Sequence, residues 1–217
     1  MQGRLPLLAE VRVAVRDGRG ELVEELAFPS RSFTFSFANA FLGSMYGSPA
    51  LASPPSPAFP VVDVLGNTYL VGYGYSNSIG QVHTLMCLAG CPGLSAYASS
   101  AMPSPGIYAG YSQCASTAAA IAPCSPIPPS VMSPGPLYVP TVASSTQSAW
   151  TFTVTQSLYN VSGSNVTVGS VALVAALYAS LASGGILYAV LVDNVNPPLT
   201  IPPNYYITVS YTISLPT

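Results

Sequence analysis

The sequence predicts an all-β chain: an antiparallel β-sandwich or jelly roll with a long Pro- and Cys-containing insertion and at most one short helix. Two observations predict it. Apolar and polar residues alternate with period two near both ends of the chain, and Gly, Pro and Asn clusters separate the alternating runs by connections too short for helical crossovers.

Taken in order, Leu8 to Val15 sets Ala9, Val11, Val13 and Val15 against Glu10, Arg12, Ala14 and Arg16, the pattern of a half-buried strand. Asp17-Gly18-Arg19-Gly20 reverses the chain, and Glu21 to Phe28 completes a hairpin. The next run, Ser32 to Tyr46, reads both ways. Phe33, Phe35 and Phe37 alternate like a strand, whereas Phe37, Phe41, Leu42 and Met45 repeat like a helix; a helix is expected over Asn39 to Tyr46. Prolines in 47–59 forbid regular structure and mark a linker or arm. Val61 to Val64 and Thr68 to Val71 are strands around Leu65-Gly66-Asn67, with a further strand expected from Ile79 to Met86.

Residues 87–140 are rich in Pro, Ala, Ser and Cys and read as an irregular insertion. Its extreme, Pro123 to Pro136, is polyproline-like and stiff, suited to reaching a neighbour or wrapping the sandwich. The region 141–217 is the clearest sheet. Trp150, Phe152 and Val154 alternate with Thr151, Thr153 and Thr155, and strands follow at Val166–Tyr178, Ile186–Val192 and Tyr205–Leu215. Turns are expected at Ser162–Asn165, Asp193–Pro198 and Pro202–Asn204. The uncharged run Gly169 to Val192 is long enough to span a membrane as a helix. Gly184-Gly185 interrupts it and no Lys or Arg flanks it, so two buried strands joined across Ser183-Gly184-Gly185 are expected instead. Together 1–217 form one subunit, with 1–31 as a charged N-terminal hairpin.

Charge carries the functional information. Charged residues make up 6% of the chain, against roughly 25% in an ordinary globular domain. All of them except Asp63 and Asp193 lie in the first 31 residues, and Lys is absent. A surface so poor in charge does little to keep copies apart, which points to a structural subunit whose main partner is itself. Five Arg among seven acids give no cationic footprint for nucleic acid. The apolar run at the start is too short, and meets Glu10 too early, to read as a secretory signal.

Chemistry is thin. His83 is the lone histidine, and a catalytic triad would require it beside Asp63 or Asp193 with a suitable Ser; no nucleophile elbow, phosphate loop or HExxH motif is present. Glu21, Glu24 and Glu25 read as a solvated hairpin face, and Asp193, Asn194 and Asn196 lack the spacing of a calcium loop. No enzyme, cofactor or metal is expected. Cys87, Cys91, Cys114 and Cys124 are disulfide candidates, paired locally or across longer loops, with free thiols or a zinc site using these four, or His83 in place of one, as the rivals. Asn160-Val161-Ser162 and Asn165-Val166-Thr167 fit the glycosylation sequon at a turn. Fourteen tyrosines supply contact area with a hydroxyl handle; Tyr205, Tyr206, Tyr211 and Trp150 are the interface candidates.

Trp150 to Thr155, Gly163 to Thr167, Ser170 to Val174, Pro197 to Pro203 and Ile207 to Ile213, with Pro29 to Phe33 and Asn39 to Leu42 near the N-terminus, resemble structural proteins, uncharacterised in function, of viruses and proviruses from thermophilic archaea and bacteria. The resemblance implies a virion or tail-associated role and brings no catalytic residues. The expectation is therefore a subunit that self-assembles into a capsid, tail or fibre, or an extracellular filament, alongside other structural proteins of the same particle. A carbohydrate- or cell-surface-binding module is the alternative.

Overall fold

The computed structural model describes residues 8–30, 33–45, 59–71, 86–87, 104–114, 124–139, 144–145, 149–178 and 185–216. Antiparallel strands dominate. The larger sheet contains β1 (Leu8–Arg16), β2 (Leu22–Ser30), β7 (Met132–Tyr138), β8 (Ser144–Ser145), β9 (Ala149–Asn160) and β12 (Tyr206–Pro216), in the order β2-β1-β12-β9-β7, with β8 also on β9. The smaller sheet pairs β11 (Gly185–Ile201) with β10 (Val166–Tyr178), whose other side takes β5 (Met86–Cys87) and β6 (Gly106–Gly110). A short hairpin, β3 (Phe59–Val62) and β4 (Thr68–Val71), and helix α1 (Phe35–Met45) complete the described elements.

The sheets pack face to face because their alternating patterns each supply one apolar side. Val11, Val13 and Val15 of β1, Val154 and Leu158 of β9, and Ile207, Val209, Tyr211 and Ile213 of β12 meet Val168, Val171, Leu173, Tyr188, Leu191 and Leu199 of the smaller sheet in one core. The uncharged stretch of β10 and β11 is thus a strand pair, Val171 opposite Asp193 through Tyr178 opposite Gly185. Among the described residues no helix is long and apolar enough to cross a membrane. The smaller sheet is buried on its second face too: Ala172, Val174, Ala176, Leu187 and Ala189 lie under Val64, Tyr108, Cys114 and Cys124. That double burial explains why β10 and β11 read as continuous apolar runs.

Four boundaries differ from expectation for physical reasons. α1 starts at Phe35, because the Thr34 hydroxyl accepts the Phe37 N–H at 3.1 Å and caps the helix. Phe33 bridges Leu191 and the Thr34 hydroxyl donates to the Ala189 carbonyl, so the strand-like half of that segment closes the edge of β11. The 87–140 insertion is not irregular throughout: it contributes β6 to one sheet and β7 to the other. Asp193–Pro198 does not end its strand; β11 runs on to Ile201, and its register jumps from Ser170 opposite Asn194 to Val168 opposite Leu199, leaving Asn196, Pro197 and Pro198 exposed as a bulge. The strand expected from Ile79 lies outside the described residues except at Met86.

Glycine has a packing reason at two strand positions. A Cβ on Gly169 would come 2.8 Å from the Ser112 backbone, and one on Gly110 would come 2.6 Å from the Cys124 carbonyl. Segments 111–114 and 124–126 cross β10 and β6 at contact distance, which only glycine permits.

Candidate functional site: the free face of the larger sheet

The outward side of the larger sheet is built by the residues that alternate with its core set. On β9 and β12 these are almost all hydroxylated, and the register brings them together in rungs: Thr151 opposite Ser214, Thr153 opposite Thr212, Thr155 opposite Ser210, Ser157 opposite Thr208. Three rungs are closed by hydroxyl–hydroxyl hydrogen bonds, Thr153–Thr212 and Thr155–Ser210 at 2.9 Å and Ser157–Thr208 at 3.1 Å. Tyr159 and Tyr206 continue the same two columns and lie against each other, ring centroids 4.9 Å apart. On the β7 side Tyr138 stands opposite Thr155 and is 68% exposed.

The other border is charged. Glu10 lies opposite Thr212 and Arg12 opposite Ser210, and Arg12 reaches Glu25 of β2 at 3.5 Å. β2 is the outer strand, and its Leu22 and Val23 are exposed. Beyond residue 31 the only charged side chains are Asp63 and Asp193, and both are buried, 2% and 4% exposed. The surface outside the N-terminal segment therefore carries no charged Asp, Glu, Lys or Arg side chain at all.

Each buried carboxylate has a structural partner set. Asp63 accepts the N–H groups of Leu65 and Asn67 at 2.9 and 2.8 Å and the Asn67 side-chain amide at 2.9 Å, which fixes the β3–β4 turn. Asp193 on β11 accepts the Ser30 hydroxyl from the end of β2 at 2.8 Å, tying the outer strands of the two sheets. Burial, and then the negative charge of Asp193, hold the Tyr211 hydroxyl well above the ordinary phenol pKa. Burial alone raises Tyr188, whose hydroxyl has no hydrogen-bond partner among the described residues.

On the opposite side of the sandwich Gln156 plays the matching part. Its carbonyl accepts the Ile107 N–H of β6 at 2.6 Å, and its amide donates to the Gly135 carbonyl of β7 at 2.8 Å. Ser30 and Gln156 went unnoticed in the sequence, although Gln156 occupies an inward position between Val154 and Leu158.

The sequence candidates divide clearly. Tyr211 is not an interface residue: it lies on the inward side of β12 and is fully buried in the core. Tyr205 is half-buried against that core, whereas Tyr206 is on the free face. The Trp150 backbone sits in β9 opposite Leu215; its side chain lies outside the described set. Cys114 and Cys124 form a disulfide, the local pairing, and the sulfurs so joined are lost to a zinc site with Cys87 and Cys91. The backbone of Cys87 is in β5, and Cys91 and His83 lie outside the described residues. Asn194 accepts the Cys114 N–H at 2.7 Å and donates to its carbonyl at 3.0 Å, fastening the disulfide segment to β11. Among the described residues no cluster of three His, Cys, Asp or Glu side chains could hold a metal ion.

Of the two sequon asparagines, Asn165 is exposed. Asn160 is a correction: it is 2% exposed, and its amide nitrogen donates to the Ser164 and Ile201 carbonyls at 2.9 and 2.8 Å. A glycan on that nitrogen is incompatible with this fold.

What the fold and this face define is a class: an antiparallel β-sandwich with a hydroxyl-lined outer face whose charge is confined to its N-terminal hairpin. No family model, curated protein or solved structure matches the chain.

Proposed function

We propose that the chain is a structural subunit that packs against copies of itself, as a capsid, tail or fibre component of a virion or as an extracellular filament, together with other structural proteins of the same particle. One observation carries the reading: every charged Asp, Glu, Lys and Arg side chain beyond residue 31 is buried. A free protein gains solubility from surface charge, and one that dispenses with it presents a surface suited to burial against neighbours. The hydroxyl rungs fit such contacts, since Ser and Thr can exchange their hydrogen bonds between neighbours and water at little net cost. The outer strand β2, which has no partner on its far side among the described residues and exposes Leu22 and Val23, adds an edge suited to strand addition between subunits. The virion assignment draws on the sequence resemblance alone. Electron microscopy of the purified full chain tests the reading: ordered shells, tubes or fibres support it, and dispersed single subunits contradict it.

The second reading, a carbohydrate-binding module, is favoured by Tyr138 and Tyr159, both exposed beside the hydroxyl columns. Aromatic rings stack on sugar faces while hydroxyls bond their rims. Under this reading Tyr138→Ala abolishes retention on a neutral polysaccharide column; under the assembly reading no retention occurs to be lost.

A further inference from the structure

We propose that Asn165 is an acceptor for an N-linked glycan. The two sequons of the chain lie in one turn between β9 and β10, and their surroundings are opposite. In the first, Asn160 uses both amide hydrogens on the Ser164 and Ile201 carbonyls, and its oxygen accepts the Ser162 N–H at 3.0 Å and the Ser162 hydroxyl at 2.7 Å. Acceptor amide and sequon hydroxyl are both consumed inside the protein, in a residue that solvent hardly reaches.

In the second, Asn165 and Thr167 are exposed while Val166 between them is buried in the core. The period-two alternation at the start of β10 thus turns the acceptor amide and the threonine hydroxyl to the solvent side together. Neither side chain has a hydrogen-bond partner among the described residues. The turn tip is open as well: a Cβ built on Gly163 would meet nothing within 4 Å. The buried Asn160 therefore serves the second site, because its bonds to Ser162, Ser164 and Ile201 hold the turn that presents Asn165.

The reaction requires a polyprenyl-diphosphate-linked oligosaccharide and an oligosaccharyltransferase. The Asn165 side-chain nitrogen attacks the anomeric carbon, and the new C–N bond forms as the C–O bond to diphosphate breaks. One amide proton passes to a base of the transferase, and the polyprenyl diphosphate leaves with the electron pair. The sugar would project from the end of the sandwich, clear of the hydroxyl rungs in the middle of the sheet.

The test incubates the folded full chain with a single-subunit oligosaccharyltransferase of relaxed sequon preference and a polyprenyl-diphosphate oligosaccharide, followed by intact-mass and peptide mass spectrometry. The expected result is one added glycan, mapped to Asn165, lost in Asn165→Gln and in Thr167→Ala, with the melting temperatures of both variants unchanged. An unmodified folded chain overturns the proposal, whether or not the peptide 158–172 is modified in parallel. A glycan found on Asn160 of the folded chain overturns it too.

Discussion

Single buried polar side chains close the two long sides of this sandwich, Ser30–Asp193 on one and Gln156 on the other. Replacing Gln156 by Leu leaves the buried Ile107 N–H without its partner and the half-buried Gly135 carbonyl to water, so chemical denaturation should show a loss of about 1–3 kcal/mol. Removing a buried hydroxyl that has no hydrogen-bond partner among the described residues acts the other way. Tyr188→Phe should gain about 1 kcal/mol, read as a higher melting temperature. The same residue sets an alkaline limit. The folded-state pKa of Tyr188, like that of Tyr211, lies above the unfolded value, so the contribution is complete below about pH 10 and falls as pH rises past it, by about 1.4 kcal/mol per unit for each tyrosine. Denaturation followed from pH 9 to 12 should steepen accordingly, and less so in Tyr188→Phe. At this scale the sequence was only partly legible. The inward parity of Gln156 could be read beside Val154 and Leu158, but its two partners, 49 and 21 residues away, could not; and Tyr211 shares its parity with Ile207 and Val209, which marks a core position and not the interface expected of it.

Elements were the most legible scale where periodicity acts alone. β1, β10 and β12 fall within about two residues of their expected bounds, because each alternates against one buried face or, for β10, runs apolar between two. Where tertiary contacts decide, the sequence pattern was silent. Prolines in 123–136 suggest a stiff non-sheet segment, yet β7 forms at the edge of the larger sheet, where Pro134 and Pro136 are exposed and a missing N–H is tolerated. Thr34 joins two elements, capping α1 and reaching the Ala189 carbonyl of β11. Thr34→Val should therefore cost about 1–2 kcal/mol in thermal or chemical unfolding. The Cys114–Cys124 bond closes a span of 10 residues, for which loop entropy predicts a loss of about 2–3 kcal/mol on Cys114→Ser/Cys124→Ser substitution. Asn194 holds Cys114 independently, so the double variant should keep the strand content of the parent by circular dichroism.

For the molecule as a whole, the low charge count was evident from the sequence, but its full meaning required the fold. Asp63 and Asp193 looked like two charges spread over a large surface; both are internal, one inside a turn and one between outer strands. The edges are treated unequally as well. Val64 N–H and Thr34 N–H take the Leu187 and Val190 carbonyls and cover part of β11, and prolines interrupt β7, whereas β2 keeps an exposed apolar start beside Glu24 and Glu25. A charge placed among the rungs, Thr155→Glu, should leave the subunit folded, because the position is half-exposed on the free face. It should nevertheless oppose contact between copies, since burying an unpaired carboxylate costs several kcal/mol. The most direct measurement is the size of the purified full chain by electron microscopy and sedimentation, wild type beside Thr155→Glu. The assembly account predicts ordered particles or filaments for the wild type and subunits for the variant; wild-type protein that stays a monodisperse monomer would contradict it.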